Sequence, residues 1–220
     1  NNLICYNKIM EMITVKTPLR YQFTGHDCGT ATMENALSYM IPREAFPPDL
    51  LHFVNNFLLD GYTKRGWGFF GTNHEAMKFF SFWLGEYFKE HSNFKMSVDF
   101  HTLEEVTYEF IKNTFDSNTD SKICAVVYCY DYWGHYVLVT GFTNDGDVKI
   151  FDPYYRDKVL KCETEYVIVN DAPTEYNRII KKENFDSYDP KVNFSLGPVE
   201  EREVMFLFKK KVKKKAKKTH

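Results

Sequence analysis

Cys28 lies in the stretch Tyr21-Gln22-Phe23-Thr24-Gly25-His26-Asp27-Cys28-Gly29-Thr30-Ala31, six residues after the amide side chain of Gln22. Met33, Ala36, Leu37 and Met40 recur at helical spacing downstream, so the spacing predicts an amphipathic helix over Cys28–Met40 that begins at the thiol. Asp27, Thr24 or His26 could close its start. A thiol at a helix N-terminus faces unpaired backbone N–H groups and the positive end of the helix dipole, and both favour the nucleophilic thiolate. The Gln22 amide and the Cys28 backbone N–H could together bind a developing oxyanion. Gly29 would leave room for a substrate chain beside the sulfur. A helical cysteine on its own is more often an inert core residue; a base and a group to orient it are needed to set Cys28 apart.

Tyr132-Trp133-Gly134-His135-Tyr136-Val137-Leu138-Val139-Thr140-Gly141-Phe142 puts a histidine at the start of a strand built for burial. A neutral imidazole there can take a proton from a nearby thiol and return it to a leaving group. Asp152-Pro153 follows the next strand, and a hairpin would return Asp152 to the neighbourhood of His135. A carboxylate in that place fixes the imidazole tautomer. Each residue has an ordinary structural alternative, a core cysteine, a strand-edge histidine or a turn aspartate; their order along the chain gives the set its weight. His26 is too close in sequence to face the sulfur across a cleft. His52, His74, His91 and His101 lack a partner motif and read as surface. Adjacent His26, Asp27 and Cys28 cannot converge on one ion, so neither a metal nor any other cofactor is expected.

The elements that must position these groups change period midway. After the first helix, Pro47-Pro48-Asp49 opens a second with Leu50, Leu51, Val54, Phe57 and Leu58 on one side. Residues 61–72 are rich in Gly and aromatics, and Trp67 there, with Trp133 and Gly134, is a candidate to wall a cleft. Thr72 with Glu75, and Thr102 with Glu105, have the pattern of capping boxes that start a third and a fourth helix. Ile123–Tyr130, His135–Phe142, Val148–Phe151, Glu165–Val169 and Glu203–Phe208 then read as strands, with Asn144-Asp145-Gly146-Asp147 as a hairpin turn. A short helix is expected near Glu175–Lys182. The order predicts an α+β domain over 1–208, N-terminal helices packed on a C-terminal antiparallel sheet, and a Lys-rich, flexible tail over 209–220.

Eight of the 28 basic residues lie at 209–218, and the rest of the chain carries 20 basic against 30 acidic residues, a formal charge of −10. The tail is thus a candidate for weak contact with a polyanion, although nothing in the body resembles a nucleic-acid-binding fold. The five cysteines, Cys5, Cys28, Cys124, Cys129 and Cys162, form no CxxC pair. Cys124 and Cys129, at an odd separation in one strand, should face opposite sides of the sheet. This usage suits a reducing compartment, most simply the cytoplasm. No apolar run is long enough to span a bilayer, and residues 1–8 lack the basic-then-apolar order of a signal peptide.

Gln22 with Asp27-Cys28-Gly29, then Gly134–Gly141, then Asp152-Pro153, resembles the C39 and C39-like branch of papain-fold cysteine peptidases. Gly71-Thr72 before a helix and Gly197–Glu203 before a strand are similar to that branch too, so the likeness runs from about residue 15 to 208. The resemblance implies a papain-like fold with Cys28 as nucleophile, His135 as base, Asp152 as its orienter and Gln22 as oxyanion donor. Better-known members of that branch cut leader peptides after Gly-Gly and are fused to transporters, and this chain has no transporter segment. The expected activity is a thiol hydrolase cleaving a peptide or amide through a thioester. Transfer of the same acyl group to an amine, or a papain-like groove that only binds peptides, are the alternatives.

Overall fold

The computed structural model describes residues 16–159 and 164–211, so Cys5, Cys162 and most of the N-terminal arm and Lys-rich tail lie outside the described residues. The fold is α+β. In chain order come α1 (Cys28–Met40), α2 (Pro48–Phe57), the two-residue strands β1 (Tyr62–Thr63) and β2 (Gly66–Trp67), and α3 (His74–Glu90). They are followed by β3 (Met96–Thr102), α4 (Tyr108–Ser117), β4 (Ser121–Asp131), β5 (Trp133–Phe142) and β6 (Val148–Phe151). The chain ends with β7 (Val167–Ile168), β8 (Arg178–Ile180), α5 (Lys182–Phe185) and β9 (Glu203–Lys210). Seven strands make one antiparallel sheet in the order β3-β9-β4-β5-β6-β8-β7.

Strand periodicity divides the core in two. Cys124 and Val126 of β4, Tyr136 and Leu138 of β5, and Met205 and Leu207 of β9 meet Met33, Leu37, Val54, Phe80 and Leu84 from α1–α3. Their neighbours Ala125, Val127, Cys129, Val137, Val139 and Phe206 pack on the other face with Tyr108 and Ile111 of α4 and with Phe185, Phe194 and Leu196. Each fully buried Leu or Phe here contributes roughly 2–3 kcal/mol of transfer free energy. Cys124 and Cys129 face opposite layers, as the odd spacing requires. No helix among the described residues is long and apolar enough to cross a membrane.

Several boundaries differ from the sequence expectation. Thr72 does not cap α3: its hydroxyl donates to the Leu58 carbonyl, and Asn73 is the cap, accepting from Ala76 N at 2.8 Å. Gly85 lies inside that helix. Thr102 ends β3, and α4 starts six residues later, capped by Thr107, which accepts from Phe110 N at 3.1 Å. Strand β8 and the four-residue α5 occupy the region expected to be one short helix. The last strand runs on through Lys210, so the sheet, not a tail, holds Lys209 and Lys210. His74 and His101 are not free surface residues: His74 Nδ1 is 2.8 Å from Glu203, and His101 lies 3.0 Å from Asp99 and 2.8 Å from Glu105.

Candidate active site

Helix α1 crosses the start of β5, held there by Thr32 Oγ1 donating to the Tyr136 carbonyl at 2.9 Å. This puts Cys28, in the first turn, beside His135, two residues into β5, and the two side chains are hydrogen-bonded. His135 is 8% exposed. Its Nε2 lies 2.8 Å from Asp152 Oδ1, which leaves Nδ1 for the sulfur. Asp152 follows the last residue of β6, fully buried. Its backbone is fixed by Asn177, which accepts from Asp152 N at 2.7 Å and donates to Asp152 O at 2.8 Å. Asp152 Oδ1 also accepts from Tyr154 N at 2.8 Å, and the buried Arg178 brings Nη2 to 3.7 Å from Oδ2. The buried carboxylate thus has His135 on Oδ1 and the Arg178 guanidinium near Oδ2, which itself receives no hydrogen bond from the described residues.

The electrostatics favour an ion pair. Burial opposes a charged imidazole, but the hydrogen bonds to Asp152 and Cys28 outweigh it and push His135 well above its ordinary value. Burial also opposes the thiolate, yet the hydrogen bond and charge of His135, with backbone N–H groups of Tyr136 and Gly29, bring Cys28 below the ordinary 9.0. The contrast within the chain is informative: burial pushes Cys124 up to about 12 and Cys129 well above its usual value. Among the cysteines described, Cys28 alone is shifted toward the thiolate.

Asp27 precedes the helix, but its side chain does not cap it. The carboxylate turns back to accept from Phe23 N at 2.9 Å, Thr24 N at 2.8 Å and Thr24 Oγ1 at 2.6 Å. Burial works against that charge, and the hydrogen bonds from Thr24 and Phe23 prevail, holding the carboxyl below its ordinary value. The consequence is twofold. Backbone N–H groups at the start of α1, which have no intrahelical acceptor, are not taken by a capping side chain. The loop bearing Gln22 is also tied to the residue next to the thiol. Gln22 Nε2 donates to the Thr24 carbonyl at 2.6 Å; since a carbonyl cannot donate, that contact fixes which way the amide faces. The second N–H of the same amide remains for another acceptor.

These groups sit in a cleft of about 600 Å³, walled by Gln22, Gly25, Cys28, Tyr132, Trp133, Gly134, Tyr154 and the Asp131–Arg156 ion pair. Of the positions anticipated from sequence, Gln22, Cys28, His135, Trp133 and Gly134 line it, and Asp152 lies directly behind His135. Trp133 is 81% exposed, as a wall residue can be. Two positions fall elsewhere. Trp67 stands on the β1–β2 hairpin, 73% exposed, packed on Tyr62 at 5.3 Å and not on the cleft. Gly29 gives its space to the protein: a Cβ there would meet Thr72 Oγ1 at 2.4 Å and Tyr136 Cδ2 at 3.2 Å. Gly134 likewise makes room for Tyr128, whose hydroxyl would lie 1.8 Å from an added Cβ.

Sequence reasoning passed over Tyr132, Tyr154, Arg156, Asp131 and Arg178. Tyr132 joins β4 to β5 with φ 65°, a left-handed conformation that disfavours a non-glycine residue and turns the Tyr132-Trp133 pair into the cleft wall. Asp131 binds Arg156 and also accepts from Asn193 Nδ2 at 2.6 Å. Only the run Asp131–Trp133 beside His135 and Tyr154–Arg156 beside Asp152 could have signalled these residues, by adjacency. Neither a scan against protein-family models nor a search of curated proteins finds a match for this chain.

Proposed function

We propose that the chain is a thiol hydrolase that cleaves a peptide or amide bond through a thioester, on a papain-like fold. The observation that carries this reading is the relay Cys28–His135–Asp152, in which a buried carboxylate 2.8 Å from His135 Nε2 leaves the other ring nitrogen to Cys28, the one cysteine among the described residues with a lowered pKa. The Cys28 thiolate attacks the substrate carbonyl carbon, and the oxyanion that forms is received by the Cys28 backbone N–H and the Gln22 amide. The His135 imidazolium passes its proton to the departing amine as the C–N bond breaks, leaving an acyl group on sulfur. His135, now neutral, takes a proton from water; the hydroxide oxygen attacks the thioester, and the thiolate leaves as the acid is released. An amine in place of water would make the same intermediate an acyl donor.

The test is intact-mass spectrometry of the protein after incubation with an acyl-directed thiol probe, followed by peptide mapping. The expected result is one adduct, on Cys28, absent from Cys28→Ala. No adduct, or adducts shared with Cys124 and Cys129, would contradict the reading.

A further inference from the structure

When a substrate carbonyl gives its oxygen to the Cys28 N–H and the Gln22 amide and turns its carbon to the sulfur, the departing amine must lie on the side of His135. It has to come within about 3 Å of the imidazolium that gives it a proton. The cleft of about 600 Å³ opens on that side, since Gln22, Cys28 and His135 line it together, and its size falls in the ~300–1,000 Å³ range of sites that enclose a small ligand. Trp133 stands two residues before His135 on β5, so strand alternation turns its indole to the same side as the imidazole. Its backbone pairs with Asp131 across a turn of one residue, Tyr132. Tyr154 stands two residues after Asp152, and its N–H donates to the Asp152 carboxylate at 2.8 Å. The Arg156 guanidinium lies 5.1 Å from the centre of the Tyr154 ring and steadies it. Trp133 and Tyr154, 81% and 45% exposed, thus line the hollow from the two segments that carry the base and its orienter. The charged pair in the same lining, Asp131 and Arg156, is bonded to itself.

Resting on the thiol-hydrolase reading, we propose that this hollow is the leaving-group subsite and that it selects an aromatic side chain on the residue whose amine departs, seated between Trp133 and Tyr154. Aromatic rings favour offset or edge-to-face contact with one another, and two rings flanking one hollow offer that contact to a third. A charged side chain fares worse. Asp131 and Arg156 already neutralise each other, so such a group would give up water without gaining a counter-charge of its own. The subsite also serves the reverse step. An amine that enters it attacks the thioester carbonyl carbon, gives its proton to His135 and displaces the Cys28 thiolate, so the amide forms along the path by which it is cleaved.

The experiment loads Cys28 of the full chain with an acetylglycyl group from an alkyl thioester and offers the acyl-enzyme phenylalaninamide, glycinamide or argininamide. Mass spectrometry reads the adduct on Cys28 and the ratio of amide to free acid released. Phenylalaninamide should capture the acyl group about tenfold or more better than glycinamide at equal concentration, and argininamide no better than about twofold. That advantage should fall at least about fivefold in Trp133→Ala/Tyr154→Ala and be largely kept in Trp133→Phe/Tyr154→Phe. It is a ratio between amines in one preparation, so a changed rate of acylation does not enter it. Absence of the adduct from Cys28 would overturn the thiol-hydrolase reading and the subsite with it. An acyl-enzyme captured equally well by phenylalaninamide and glycinamide, captured by neither, or captured best by argininamide would overturn the subsite alone. So would a preference that the double alanine variant retains.

Discussion

At the scale of single residues, the cysteine, histidine and aspartate were legible because each occupies a position that backbone geometry makes special: a helix start, a strand start and the residue after a strand. Asp27 was not. In sequence it reads as a helix cap, and in the fold it ties down the loop of Gln22 while the helix N–H groups stay uncapped. Gly29 was misread in the opposite sense, as open space for substrate, because a glycine in sequence does not say which neighbour approaches it. The role of Asp27 separates two reactions of one thiol. Alkylation by iodoacetamide forms no oxyanion, whereas acylation by an activated ester does. Asp27→Asn should therefore slow acylation of Cys28 by about tenfold or more while alkylation changes little, measured as single-turnover rates on the same preparation. On a Gln22→Ala background the same substitution should add little, because the two act as one unit. Equal slowing of both reactions would mean that Asp27 merely supports the structure.

At the scale of elements, the long helices and the central hairpin follow from strong periodicity, and the failures have physical causes. Met96, Val98 and Phe100 of β3 do alternate, but the strand is a half-buried sheet edge enclosed between helices, and its signal is weak against the false capping box at Thr102. What fixes α1 on the sheet is close packing at Gly29. Gly29→Ala would force Cβ against Thr72, whose hydroxyl is committed to Leu58 O, and against Tyr136. A loss of about 1–3 kcal/mol in urea unfolding is expected, with slower Cys28 alkylation, since the helix start must shift. Wild-type values for both would show that the contact is slack. A second tie joins α3 to β9. The hydrogen bond to Glu203 raises His74, with the charges of Glu203, Glu201 and Glu75 adding to it. A raised histidine stabilises fully below its unfolded value of about 6.5, and that gain is lost as pH rises through the folded value. His74 is partly exposed, so screening keeps the effect below about 1 kcal/mol. The stability difference between wild type and His74→Ala should be larger near pH ~6 than near pH ~9; a difference that grows with pH would contradict the pairing.

At the scale of the whole molecule, composition disclosed an acidic body and a basic C-terminal run but not where they meet. The sheet absorbs the first lysines of that run, and Lys16 and Lys122, distant in sequence, join them around the end of α1. Charge summed along a chain carries no such information, because the pairing of β4 with β9 brings the lysines together.

The account rests most heavily on the Cys28–His135 ion pair, and the pH dependence of Cys28 alkylation by iodoacetamide, read by mass spectrometry, tests it directly. Wild type should show an inflection below the ordinary thiol value of 9.0, with Cys28 labelled before Cys124 and Cys129. In His135→Ala, folded by circular dichroism, the inflection should move up toward that ordinary value. An inflection near 9 in the wild type, or one that His135→Ala leaves unmoved, would contradict the assignment of Cys28 as the nucleophile of this site.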